Sequence, residues 1–106
     1  MLVEIGHAGD GFAFDCETPR HRTLLQPHAI SNRLVTNAEF LEFIRDGGFL
    51  TPALWMSDGW NAAMRGGWRH PLYWADDLAS EFTLGGVATI DPDAPVCHIS
   101  HVEADA

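Results

Sequence analysis

Cys97, His98, His101 and Glu103 crowd one short stretch, and all are types that bind transition metals. His98 and His101 are the metal candidates, three residues apart. The spacing puts His98 just before a helix and His101 in its first turn, so the two need not share a face. No third and fourth ligands stand at metal spacing elsewhere, and the reading from residues alone is no metal site. His7, His21, His28 and His70 are scattered singly. Asp15, Glu17, Arg20 and His21 cluster around Pro19. They form either an acid–base pair or a salt-bridged turn, and the turn is the preferred reading.

The aromatic residues carry the second candidate chemistry. All four tryptophans (Trp55, Trp60, Trp68 and Trp74) and the only tyrosine, Tyr73, fall within twenty residues. Ring faces attract quaternary ammonium groups, so these five residues are the candidate substrate-binding set. The plainer reading, and the preferred one, is that a loop-rich chain uses large rings as its core. No phosphate loop, nucleophile elbow or pair of catalytic carboxylates occurs, and no catalytic residue is assigned.

The clearest positioning element is a helix opening at Thr36. Glu39, three residues later, completes a capping box. Val35 and Phe40 are placed to form a hydrophobic staple. Phe40, Leu41, Phe43 and Ile44 share one face. Arg45 complements the dipole, and Gly47-Gly48 stops the helix after about three turns. Before it, Met1–Ile5, Phe12–Phe14, Arg20–Gln26 and His28–Ser31 read as short extended pieces. The expectation is an antiparallel sheet with the helix packed on one face. After it, Thr51-Pro52 begins a turn, and Ser57–Met64 reads as a helix closed by Gly66-Gly67. Glu81–Leu84 reads as a strand. Ser100 and Glu103 form a second capping box, with barely one turn before Ala106. A helix that short is unstable alone, so the chain reads as part of a larger domain.

The chain has 106 residues, 46% hydrophobic, with 15 acidic side chains against six arginines and a net charge of −9. That charge argues against nucleic acid and anionic membranes, which call for clustered basic residues. No apolar run approaches a membrane span. No charged-then-apolar leader opens the chain, and two cysteines make no disulfide framework. Two free thiols in a reducing cytoplasm are expected, with one bridge left open.

Several stretches together resemble one family: Phe14–His21, Leu34–Asn37, Phe43–Phe49, Leu54–Trp60 (Leu-Trp-Met-Ser-Asp-Gly-Trp), Pro71–Trp74 and Pro95–Ala106. They look like the formylglycine-generating-enzyme, or sulfatase-modifying-factor, superfamily. Within it they are most similar to the C-terminal domain of the iron-dependent sulfoxide synthases of ergothioneine biosynthesis. The resemblance covers nearly all 106 residues but about half of that domain, so residues 1–106 read as its N-terminal part, truncated at the C-terminal end.

The resemblance implies an α+β, C-type-lectin-like fold, with short antiparallel strands, two or three short helices and long loops. It implies an Fe(II)-dependent oxidoreductase forming a C–S bond on a histidine betaine. The iron ligands would belong to a separate N-terminal helical domain, so no cofactor is expected on this stretch and it would act as scaffold. The alternative is a non-catalytic binding or structural module of the same fold. Cys16 departs from the asparagine that the family more often has, and a looser turn is expected there. The expected partners are the rest of the domain, the iron-binding domain and further copies of the chain. A homo-oligomer is expected, with the contact in Trp55–Trp74 or the C-terminal segment.

Overall fold

The computed structural model describes all residues, Met1–Ala106. They form two compact units, Met1–Asn32 and Arg33–Ala106. The chain is α+β, with two separate two-stranded antiparallel sheets and three short α-helices.

In the first unit, β1 (Leu2–Ile5) pairs with β2 (His21–Leu24), Leu2 opposite Leu24 and Ile5 opposite His21. Arg20 and Arg22 both reach Glu4, at 3.1 and 3.9 Å. The ion pairs around Pro19 therefore run to β1 rather than within the turn, as the sequence had suggested. Asp15 and Glu17 are spent on backbone amides instead. Glu17 accepts the Phe14 N–H and Asp15 the Cys16 N–H, both at 2.8 Å. These bonds fasten the turn that Cys16 was expected to loosen, since the neighbouring carboxylates supply the caps that a thiol cannot. Phe12–Phe14 is irregular rather than a strand, and its two rings meet edge-on at 5.1 Å. His28–Ser31 joins no strand either.

In the second unit, α1 (Asn37–Arg45) starts where its capping box predicts. The Thr36 hydroxyl accepts the Glu39 N–H at 3.3 Å, and the Glu39 carboxylate accepts the Thr36 N–H at 3.0 Å. The next two amides of the first turn are met from a distance: Asn37 donates to the Ala94 carbonyl at 2.9 Å and Ala38 to Pro92 at 3.0 Å. The rigid Asp91–Pro95 loop thus closes the helix start. Val35 stays exposed, and its carbonyl accepts the Val96 N–H at 3.0 Å. Gly47, at φ 81°, ends the helix in the left-handed region that glycine adopts without penalty.

Two 3-10 turns, Gly48–Leu50 and Pro52–Leu54, lead to α2 (Ser57–Gly66). A hairpin of β3 (Ser80–Thr83) and β4 (Gly86–Thr89) follows, then α3 (His101–Asp105). The surface under α1 is not a sheet. Phe40 is buried against Phe49 and Trp55 from the 3-10 turns and Ala63 from α2, with Ile99 and Val102 packed alongside. Strands of four residues in isolated pairs offer no broad apolar face. The core therefore comes from helices and aromatic-rich turns. Both cysteines are free and exposed.

Candidate functional site

The second unit carries a cleft of about 500 Å3 lined by Trp68, His70, Leu72, Tyr73, His98, Ile99, Ser100 and Glu103. Its walls come from the Trp68–Trp74 stretch, which turns where the Trp74 N–H donates to the Pro71 carbonyl at 3.2 Å, and from the approach to α3. Pro71 is fully buried and anchors the first wall, while His98 braces it by accepting the Leu72 N–H at 3.2 Å.

Tyr73 and His98 both line the cleft, and their rings meet edge to face, centroids 5.0 Å apart and planes at 85°. Both hold left-handed backbone, φ 75° and 59°. For residues with a Cβ that conformation costs roughly 1–2 kcal/mol each, and such strain gathers at ligand clamps. His70 has Nδ1 3.0 Å from the Pro71 carbonyl and Nε2 3.1 Å from Asp76 Oδ1.

Glu103 closes the floor. It is only 7% exposed and forms no ion pair with any basic side chain. One oxygen accepts the Ser100 N–H at 2.6 Å, completing the second capping box. Glu103 lines the same cleft as Trp68 and Tyr73, and a carboxylate together with aromatic rings suits an organic cation.

The five aromatic candidates separate. Trp55 lies in the core, where its indole donates to the Gly48 carbonyl at 2.8 Å, and Trp60 packs beside it at 6.4 Å. Trp74 is buried outside the cleft, bridged to Glu81. Trp68 and Tyr73 alone reach the cleft, and Tyr73 is 48% exposed. The sequence offered Glu103 as a cap and as a neighbour of the metal candidates, not as a wall of an aromatic cleft, and gave His70 no role. The capping-box spacing could have pointed to its placement, because it puts that carboxylate under residue 100.

Of the metal candidates, His98 lines the cleft and His101 does not. Cys97 Sγ is turned to the Pro95 carbonyl at 3.5 Å. No three His, Cys, Asp or Glu side chains converge anywhere, so the donors present do not fit an iron site. In the first unit, the Nε2 of His7 is buried without a hydrogen-bond partner beside a shallower cleft that includes Cys16 and His21. No helix is long and apolar enough to cross a membrane.

The profile described as the sulfatase-modifying factor enzyme 1-like domain matches residues 1–106. The hercynine oxygenase of Mycobacterium tuberculosis is 33% identical over all 106 residues, which make up 25% of that protein. The hercynine oxygenase of Mycolicibacterium thermoresistibile is 35% identical over the same 106 residues, 24% of its length. That of Mycolicibacterium smegmatis is 35% identical over 94 residues, 89% of this chain and 22% of the relative. The chain thus spans about a quarter of the length of the curated relatives it matches.

Proposed function

The chain belongs to the sulfatase-modifying factor enzyme 1-like family, and on that premise we propose that it is the scaffold segment of a hercynine-oxygenase-type oxidoreductase. In this reading the whole enzyme acts in ergothioneine biosynthesis and uses iron and oxygen to form a C–S bond on a histidine betaine. The observation that carries the reading is identity of 33–35% with two hercynine oxygenases over the entire chain.

The chain's own part is structural. The α1–α2 core holds the Trp68–Trp74 wall in place, and the capping box of α3 holds Glu103 under it. Trp68, Tyr73 and the Glu103 carboxylate then offer a surface suited to a trimethylammonium group. Iron chemistry would be supplied from outside these residues, since their donors do not fit the metal.

A chimera tests this. The matching quarter of the Mycobacterium tuberculosis protein is replaced by this chain, loaded with iron and assayed with hercynine, a thiol and oxygen. Retained turnover is the expected result. A folded chimera with no turnover overturns the reading and favours a non-catalytic module of the same fold. Turnover by the 106-residue chain alone would show that the segment is more than scaffold.

A further inference from the structure

The β3–β4 hairpin leaves one backbone edge open. Thr83 faces Gly86, Phe82 faces Val87, Glu81 faces Ala88 and Ser80 faces Thr89. Bonded and non-bonded positions alternate in an antiparallel pair. Ile90 donates to the Ala79 carbonyl at 3.0 Å, which makes Glu81/Ala88 and Thr83/Gly86 the other bonded positions. The backbone groups of Ser80, Phe82, Val87 and Thr89 therefore point outward. On the β3 side they are met: Phe82 donates to the Tyr73 carbonyl at 2.9 Å, and Ser80 accepts from Ala75 at 2.8 Å. Within these residues β4 pairs with β3 alone, so Val87 and Thr89 present donors and acceptors along its other edge.

β4 lacks the usual guards of such an edge, having neither charge nor proline. Phe82 to Ile90 contains no charged residue, in a chain of net charge −9. Two copies can meet here without bringing carboxylates together, whereas their excess negative charge opposes contact elsewhere. Phe82 and Val87 are also cross-strand partners on one face, 59% and 77% exposed. The Tyr73 ring extends that row, 6.4 Å from Phe82. Leu84 stands fully exposed at the tip.

We propose that β4 pairs antiparallel with β4 of a second copy, Val87 opposite Val87 of the partner subunit. The two hairpins then form one four-stranded sheet. Its apolar row runs Tyr73, Phe82, Val87 and on through the same residues of the partner in reverse. The row is its own complement across a two-fold axis. The contact then centres on β4, with Tyr73 the one member of the Trp55–Trp74 stretch in the row.

Sedimentation velocity across micromolar concentrations decides it. The wild-type chain should pass from monomer to dimer as concentration rises. Val87→Lys sets a charge at the centre of the row, and Thr89→Pro removes an outward donor. Each should weaken the dimer by at least about tenfold. Leu50→Lys, at an exposed apolar position outside the hairpin, should leave it unchanged. Amide exchange gives a readout independent of any variant's folding. The Val87 and Thr89 amides should be protected in concentrated wild-type protein and exchange freely in dilute protein. A wild-type monomer throughout, a Val87→Lys chain that associates as tightly as wild type, equal loss with Leu50→Lys, or a dimer with both amides unprotected would each overturn the proposal.

Discussion

Gly59 of α2 lies so close to Val102 of α3 that a Cβ on Gly59 would come within 2.6 Å of the Val102 Cβ. The contact explains a glycine in the first turn of α2, where a side chain would have no room. It also explains how a five-residue helix persists: α3 is held by packing, since its own length cannot sustain it. Gly59→Ala should therefore destabilise the chain. The propensity gain, at most about 1 kcal/mol in the first turn, is outweighed by overpacking of roughly 1–3 kcal/mol. Urea melts check the sign, and a more stable Gly59→Ala chain would mean that α3 does not dock on α2.

Acid sensitivity should report the cap of α1. The Arg33 guanidinium meets both Glu39 oxygens, at 2.7 and 2.5 Å, and the Thr36 amide adds a third bond at 3.0 Å. Led by the Arg33 hydrogen bonds, these hold the Glu39 carboxyl down from 4.5 to about 2. A depressed carboxylate contributes stability that is fully present above its unfolded value and is lost as pH falls through the folded one. Wild type should thus exceed Glu39→Gln in thermal stability above pH 4.5, and the gap should close by about pH 2. A gap unchanged over that window would show that charge at Glu39 plays no part.

Cap and core make unequal contributions to α1. Thr36→Ala removes one capping hydroxyl and should cost roughly 1 kcal/mol. Phe40→Ala empties a buried site among Phe49, Trp55 and Ala63 and should cost roughly 3–5 kcal/mol. Chemical denaturation of the two variants side by side measures the difference. Equal, small shifts would mean that the Phe40 face is not the core.

What was legible in the sequence was local. Thr36 with Glu39, and Ser100 with Glu103, are three residues apart, and each pair bonds across one turn of backbone. Such chemistry needs nothing from the rest of the fold. The surface under α1 was not legible, because Phe40, Trp55 and Ala63 meet only after two irregular turns whose direction no periodicity encodes. β4 was missed for a related reason. Gly85-Gly86 reads as a stop, yet Gly86 at φ 107° returns the chain along β3. The aromatic run illustrates the same limit at the site. Five rings adjacent in sequence were one set on paper, but Trp55 and Trp74 point into packing while Trp68 and Tyr73 reach the cleft.

Trp55 should prove the least replaceable of those rings. It is buried at 7% exposure, packs against Phe49 at 5.2 Å, and gives its indole N–H to the Gly48 carbonyl at 2.8 Å. Gly48 is buried as well, and a Cβ there would lie 2.3 Å from the Phe43 ring, so the turn cannot move aside to reach water. Trp55→Phe keeps an aromatic ring but leaves that carbonyl without its donor. The unmet group costs about 1–3 kcal/mol, beyond the loss from the smaller ring. Trp60→Phe alters a neighbouring, partly buried ring for which no such bond is seen, and it should cost clearly less. Equilibrium melts of the pair isolate the hydrogen bond. If Trp60→Phe proved as damaging as Trp55→Phe, ring volume alone would set the stability of this core, and the indole–carbonyl bond would contribute nothing to holding the Gly48 turn against α2.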